Sequence, residues 1–126
     1  MRAVDTNVLV GLMVRENAAQ TAAAEEYIAG GAWVPVLAVA EAAWVLRSVY
    51  KADHAGIVRV MEVLLNHRQL VVQDADAVAH ALKLLHARPS LHFSDCLMVA
   101  LARKAGHLPL GTFDKALSRV EGAGKI

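Results

Sequence analysis

A single cysteine, Cys96, stands among 126 residues, so no internal disulfide can staple the fold. A chain of this length needs none: residues 1–126 can bury a core sufficient for a single domain, and one domain is expected. Sparse cysteine also points to the cytoplasm as the default compartment. The opening Met1-Arg2-Ala3-Val4-Asp5 lacks the charged segment and long apolar stretch of a secretion signal. Long apolar runs are missing throughout. Charges interrupt each one before the roughly 18 residues that a membrane-spanning helix requires. Net charge is scarce as well: 13 Lys and Arg against 12 Asp and Glu leave +1. That excludes a strongly basic nucleic-acid binder, and any hold on a polyanion must rest on a local patch or on bound cations. Aromatic residues make up 5% of the chain, too few for an extended base-stacking platform.

What the chain has in excess is apolar surface. Hydrophobic residues amount to 56% and mean hydropathy is +0.39, high for a monomer of this size. A second copy or another chain would account for the surplus, although much of it is alanine, which also fills helix contacts. Short apolar runs alternate with helical stretches, the pattern of an α/β fold with a mainly parallel sheet. Strands are expected at Arg2–Asp5, Ala32–Pro35, Leu70–Gln73 and Leu108–Gly111. Helices are expected at Asn7–Val14, Asn17–Ala29, Leu37–Tyr50, Asp53–Leu65, Ala75–His86 and Ser94–Ala105, with a short one from Lys115. Asn17, Asp53, Asp74 and Ser94 are the expected N-caps, and Gly30-Gly31 and Gly106 the stops.

Four acids sit where a solvated face does not explain them. Glu41 has Leu37, Ala38, Trp44 and Val45 as its helical neighbours, so it is expected inside an apolar stripe, where a carboxylate costs several kcal/mol unless paired, neutralised or metal-bound. Asp5 lies between Ala3-Val4 and Val8-Leu9-Val10 at the end of an expected buried strand. Asp95 opens a helix after His92-Phe93-Ser94, and Asp114 follows the strand ending near Gly111. In an open parallel sheet, ligands bind beyond the carboxyl ends of the strands, and the following helices start at that edge. Crowded acids repel each other unless a cation neutralises them, and an all-oxygen set favours Mg²⁺ or Mn²⁺ over zinc. Such a centre suits metal-assisted phosphodiester hydrolysis. Each acid also has a structural reading: Asp5 as a turn residue, Asp95 as a first-turn acid complementing the helix dipole, Asp114 as an N-cap, and Glu41 as one half of an ion pair.

Four segments in order, Val4-Asp5-Thr6-Asn7-Val8-Leu9, Val39-Ala40-Glu41, Phe93-Ser94-Asp95-Cys96-Leu97-Met98-Val99-Ala100 and Leu110-Gly111-Thr112-Phe113-Asp114-Lys115, resemble the PIN-domain ribonucleases. The likeness is greatest to the VapC-like toxins of toxin–antitoxin pairs. The resemblance implies a three-layer α/β/α sandwich with a mainly parallel central sheet. It implies Mg²⁺ or Mn²⁺ held by Asp5 and Asp95, with Glu41 and Asp114 completing the acidic cluster and Asn7 and Thr112 supporting it. RNA as substrate, a homodimer, and inhibition by a small cognate antitoxin are also implied. Gly124-Lys125-Ile126 barely represents the family's last strand.

Other candidates carry less. Asp74 and Asp76 fall where helix-start acids belong. Six histidines offer no HxxxH or Cys/His pairing for zinc, and His92 reads as a loop residue near the proposed site. Cys96 reads as a buried thiol rather than a nucleophile. Among the cations, Lys115 adjoins Asp114 and is the best placed for RNA, with a solvated face as the alternative. Two rival functions remain open besides a toxin: a housekeeping ribonuclease of the same fold, and a partner-binding domain without catalysis. A phospho-aspartate phosphatase centred on Asp5 is disfavoured, since Asn7 stands where that chemistry needs a second acid.

Overall fold

The computed structural model describes residues 1–126, which divide into two compact units, Met1–Ala75 and Asp76–Ile126. In the first, strands β1 (Arg2–Ala3), β2 (Ala32–Val34) and β3 (Leu70–Val72) form a parallel sheet in the order β1-β2-β3. Arg2 aligns with Ala32, and Ala32 with Leu70. Parallel pairing demands a long crossover between strands. Helices α1 (Thr6–Val14) and α2 (Ala18–Ile28) provide the first, and α3 (Val36–Ser48) and α4 (His54–Leu65) the second. The strands bury alternate residues: Ala32, Val34, Leu70 and Val72 point into the core, while Trp33 and Val71 are exposed.

Local chemistry sets the helix starts. Asn17 and Asp53 act as expected, their side chains accepting the backbone N–H of Gln20 at 3.0 Å and of Gly56 at 2.8 Å. Asp5 does the same for α1, accepting the Val8 N–H at 3.0 Å. The expected strand Arg2–Asp5 therefore ends at Ala3, because Asp5 is already the cap of the next helix. Helix α3 has Pro35 at its cap position, which offers no side-chain acceptor. Its first N–H, on Val36, is met instead by Gln73 Oε1 at 2.9 Å, reaching over from just past β3. Gly31, at φ 97°, makes the turn from α2 into β2. The buried Thr21 hydroxyl donates to the Gly11 carbonyl and ties α2 to α1. Leu9, Val34, Val39, Met61 and Leu64 are the most deeply buried large side chains of this unit.

The second unit holds α5 (Ala75–Ala87), α6 (Phe93–Ala105), β4 (Leu110–Thr112) and β5 (Ala123–Lys125). Strand β5 pairs parallel with β4, Leu110 opposite Ala123, and the Ile126 N–H extends the ladder to the Thr112 carbonyl at 3.1 Å. The short ending thus does form a strand. Its crossover is only a 3-10 turn at Leu117–Arg119, with Leu117 and Val120 buried beneath it. The expected caps of this unit fare differently. Asp74 stands directly before α5, where its cap was expected, with a left-handed backbone at φ 52°. Ser94 lies inside the first turn of α6, since the helix begins at Phe93 with His92 before it. Gly106, at φ 82°, closes α6 as expected. Val78, Cys96 and Val99 are fully buried in this unit. The class is α/β with parallel pairing, as the alternation of elements indicated.

Candidate active site

Asp5 and Glu41 both belong to the first unit, 36 positions apart, and Thr6 links them. Its hydroxyl donates to Glu41 Oε1 at 3.2 Å, across 35 positions of sequence, one residue after Asp5. The topology makes this contact possible. Asp5 stands just past the carboxyl end of β1, and α3 leaves the carboxyl end of the neighbouring parallel strand β2. Both groups are consequently at the edge where open parallel sheets place ligands.

Their surroundings differ from expectation. Asp5 and Glu41 are exposed rather than buried. Helix α3 buries Ala38, Val39, Ala42, Ala43 and Leu46, while Leu37 and Trp44 are each 67% exposed and share the outer side with Glu41. The apolar neighbours of Glu41 are real, but they are not core, so the carboxylate carries no burial penalty to be relieved. Asn7 makes no hydrogen bond to either acid. It lines a cavity of about 370 Å³ with Val8, Gln20, Ala23, Ala24 and Tyr27.

The second unit carries Asp95 and Asp114. Asp95 sits half-buried in the first turn of α6, its carboxylate making no hydrogen bond or ion pair. Helix α6 packs on β4 and joins it through residues 106–109, so the chain reverses there. Asp114 follows the end of β4, two residues past Thr112. Asp114 is tightly held: its N–H donates to Thr112 Oγ1 at 3.0 Å, and its Oδ1 accepts the Leu117 N–H at 2.9 Å. Thr112 thus meets the Asp114 backbone and the Leu117 N–H its carboxylate, so the capping role weighed for Asp114 is real.

Within neither unit do three or more His, Cys, Asp or Glu side chains gather into a metal-holding group. The donor chemistry of Asp5, Glu41, Asp95 and Asp114 nonetheless suits a hard cation, being carboxylate oxygen throughout. A model of the PIN domain matches residues 2–123, across both units. The chain belongs to the PIN domain family. No curated protein matches it in sequence. Domains of this family are α/β and are generally metal-dependent nucleases, which agrees with the parallel strands described above.

Membership sharpens the reading of the neighbouring residues. Cys96 adjoins Asp95 but is fully buried, and burial, with the Asp95 charge beside it, pushes the thiol up to about 11. It stays protonated and is no nucleophile. Asp76 is held below the usual carboxylate range by a hydrogen bond from Lys104 Nζ at 2.8 Å, a surface tie rather than part of a metal centre. His92 is exposed at the start of α6. No helix of this PIN domain is long and apolar enough to cross a membrane. Two supporting residues escaped the sequence. Thr6 lay within the Asp-Thr-Asn segment, where a hydroxyl beside the leading acid was its signal. Gln73 had none, because its partner Val36 is 37 positions away.

Proposed function

We propose that this PIN domain is a Mg²⁺- or Mn²⁺-dependent endoribonuclease with Asp5, Glu41, Asp95 and Asp114 as its acidic residues. The observation that carries the reading is the Thr6–Glu41 hydrogen bond, which ties Glu41 to the residue that follows Asp5, beyond the carboxyl end of β1. A divalent ion held by carboxylate oxygens supplies an activated water and neutralises charge on the phosphoryl group. The chain's own residues prepare the carboxylates. The Val8 N–H fixes Asp5 Oδ1 and Thr6 fixes Glu41 Oε1, so each acid keeps its second oxygen outside these bonds. Thr112 and the Leu117 N–H set the direction of Asp114, and Asp95 keeps both oxygens unpartnered. Lys115, exposed next to Asp114, offers a charge to the RNA backbone.

The purified protein should cut a mixed RNA substrate in Mg²⁺ or Mn²⁺, stop when EDTA removes the ion, and lose activity with Asp95→Asn. Undiminished cutting in EDTA, or an Asp95→Asn protein as active as its parent, contradicts the reading.

We further infer that the ribonuclease is the toxin of a toxin–antitoxin pair and works as a homodimer. The four ordered segments resemble VapC-like toxins, and Leu37, Trp44 and Val49 leave apolar surface along and just past α3 for a protein partner. Induced expression in a bacterial host should arrest growth with the parent and not with Asp95→Asn. Equal growth of both would remove the toxin assignment while leaving the nuclease.

A further inference from the structure

Arg88 follows the last residue of α5, and both its backbone and its side chain are committed. Its N–H donates to the Leu84 and Leu85 carbonyls at 3.0 and 3.2 Å, which closes the helix. Its carbonyl accepts the Leu91 N–H at 3.0 Å, so residues 88–91 form a tight turn with Pro89 inside it, and Leu91 is buried. Helix α6 begins at Phe93, also buried, and carries Asp95 in its first turn. The side chain of Arg88 goes elsewhere. Its Nη2 donates to the Arg119 carbonyl at 3.3 Å, 31 positions along the chain. Arg119 is the last residue of the 3-10 turn whose Leu117 N–H holds Asp114 Oδ1. Helical ends leave such carbonyls without partners of their own, and here a side chain from another segment supplies the donor.

One guanidinium therefore joins the segment that leads into Asp95 to the turn that holds Asp114. We propose that Arg88 is a positioning residue: its bond to Arg119 sets where Asp114 stands relative to Asp95, so that both carboxylates can serve one divalent ion. Mg²⁺ demands near-octahedral oxygens at about 2.0–2.1 Å, and a constellation displaced by about 0.5 Å loses that fit. Asp114 cannot compensate by swinging, because its Oδ1 is bonded to the Leu117 N–H and moves with the turn. Stability is not what the contact supplies. Arg88 and Arg119 are both exposed, so water replaces the donor when the guanidinium is removed, and only the constraint is lost. The inference rests on the nuclease reading above, and adds a residue that lies in none of the four acidic segments.

The test compares the full-length parent with Arg88→Ala and Arg88→Lys. Calorimetric titration of Mn²⁺ without RNA, kcat and KM for RNA cleavage in Mn²⁺, and the melting temperature are measured for each. Arg88→Ala should bind Mn²⁺ about tenfold more weakly and lose about tenfold in kcat, with KM for RNA unchanged. Arg88→Lys keeps a donor on a long side chain and should recover most of both. The melting temperature should fall by no more than about 4 °C in either variant. Parental Mn²⁺ affinity in Arg88→Ala overturns the proposal, and a raised KM beside it would make the guanidinium an RNA contact. Arg88→Lys as weak as Arg88→Ala overturns it too, because the tie to the carbonyl is then not what matters. A larger fall in melting temperature overturns it in favour of packing. In each of these outcomes a parent that binds Mn²⁺ and cuts RNA keeps the nuclease reading; a parent that does neither removes both.

Discussion

Asp5 holds a helix start and is proposed to hold a metal, and two substitutions separate these roles. Asparagine caps a helix about as well as aspartate, whereas alanine forfeits the bond to the Val8 N–H. Asp5→Asn should therefore abolish RNA cleavage with stability nearly unchanged, while Asp5→Ala should also lose about 1 kcal/mol in urea denaturation. Equal stability of the two would mean that the cap contributes nothing. Cys96 gives a pH-dependent expectation. Its folded-state thiol, raised from 9.0 to about 11, stays protonated where the unfolded thiol ionises. The unfolded state thus binds fewer protons in that window, and stability falls as pH rises from about 9 to 11. Cys96→Ala removes this loss, so the urea midpoint of the parent should fall relative to the variant across that range; parallel curves would refute it. At this scale short motifs carry the proposal of the four acids. The setting of Glu41 was not legible. Apolar residues three and four positions away do not say which side of the helix meets the core, and here Leu37 and Trp44 face outward with it.

Helix α3 depends on a residue outside itself. Pro35 cannot cap it, and the Gln73 side chain takes the Val36 N–H. Gln73→Ala should cost about 1 kcal/mol in urea denaturation and should slow RNA cleavage, because Glu41 rides on that helix. A variant with parental stability and rate would show that the contact is dispensable. The caps at Asn17 and Asp53 were readable because the acceptor lies three residues before its donor. Gln73 was not, since its donor is brought near only by parallel pairing of β2 and β3. The first strand was overstated for a related reason. Asp5 looks like a strand end in sequence, but it is already turning the chain by accepting the N–H three residues on, whereas the strand expected to end at Gly111 runs on to Thr112. The last strand, obscured by its glycines, forms because its backbone pairs with β4, which requires no side chain.

For the whole chain, the alternation of strand and helix sufficed to indicate the α/β class, and the family match runs through residues 2–123. Each unit has its own apolar centre, around Leu9 and Met61 in one and around Val78 and Val99 in the other. Leu9→Ala should lower stability by about 2–5 kcal/mol, as expected for a large side chain with no exposure; a loss below 1 kcal/mol would contradict that burial. The resemblance proposes four acids for a metal site, and the structure holds three of them by hydrogen bonds, at Asp5, Glu41 and Asp114. The decisive measurement is calorimetric titration of Mn²⁺ into the parent and into Asp5→Asn, Glu41→Gln, Asp95→Asn and Asp114→Asn. The parent should bind the ion, and every variant should bind it about tenfold or more weakly. No binding by the parent, or equal binding by all five proteins, would contradict a metal-dependent centre built from these acids.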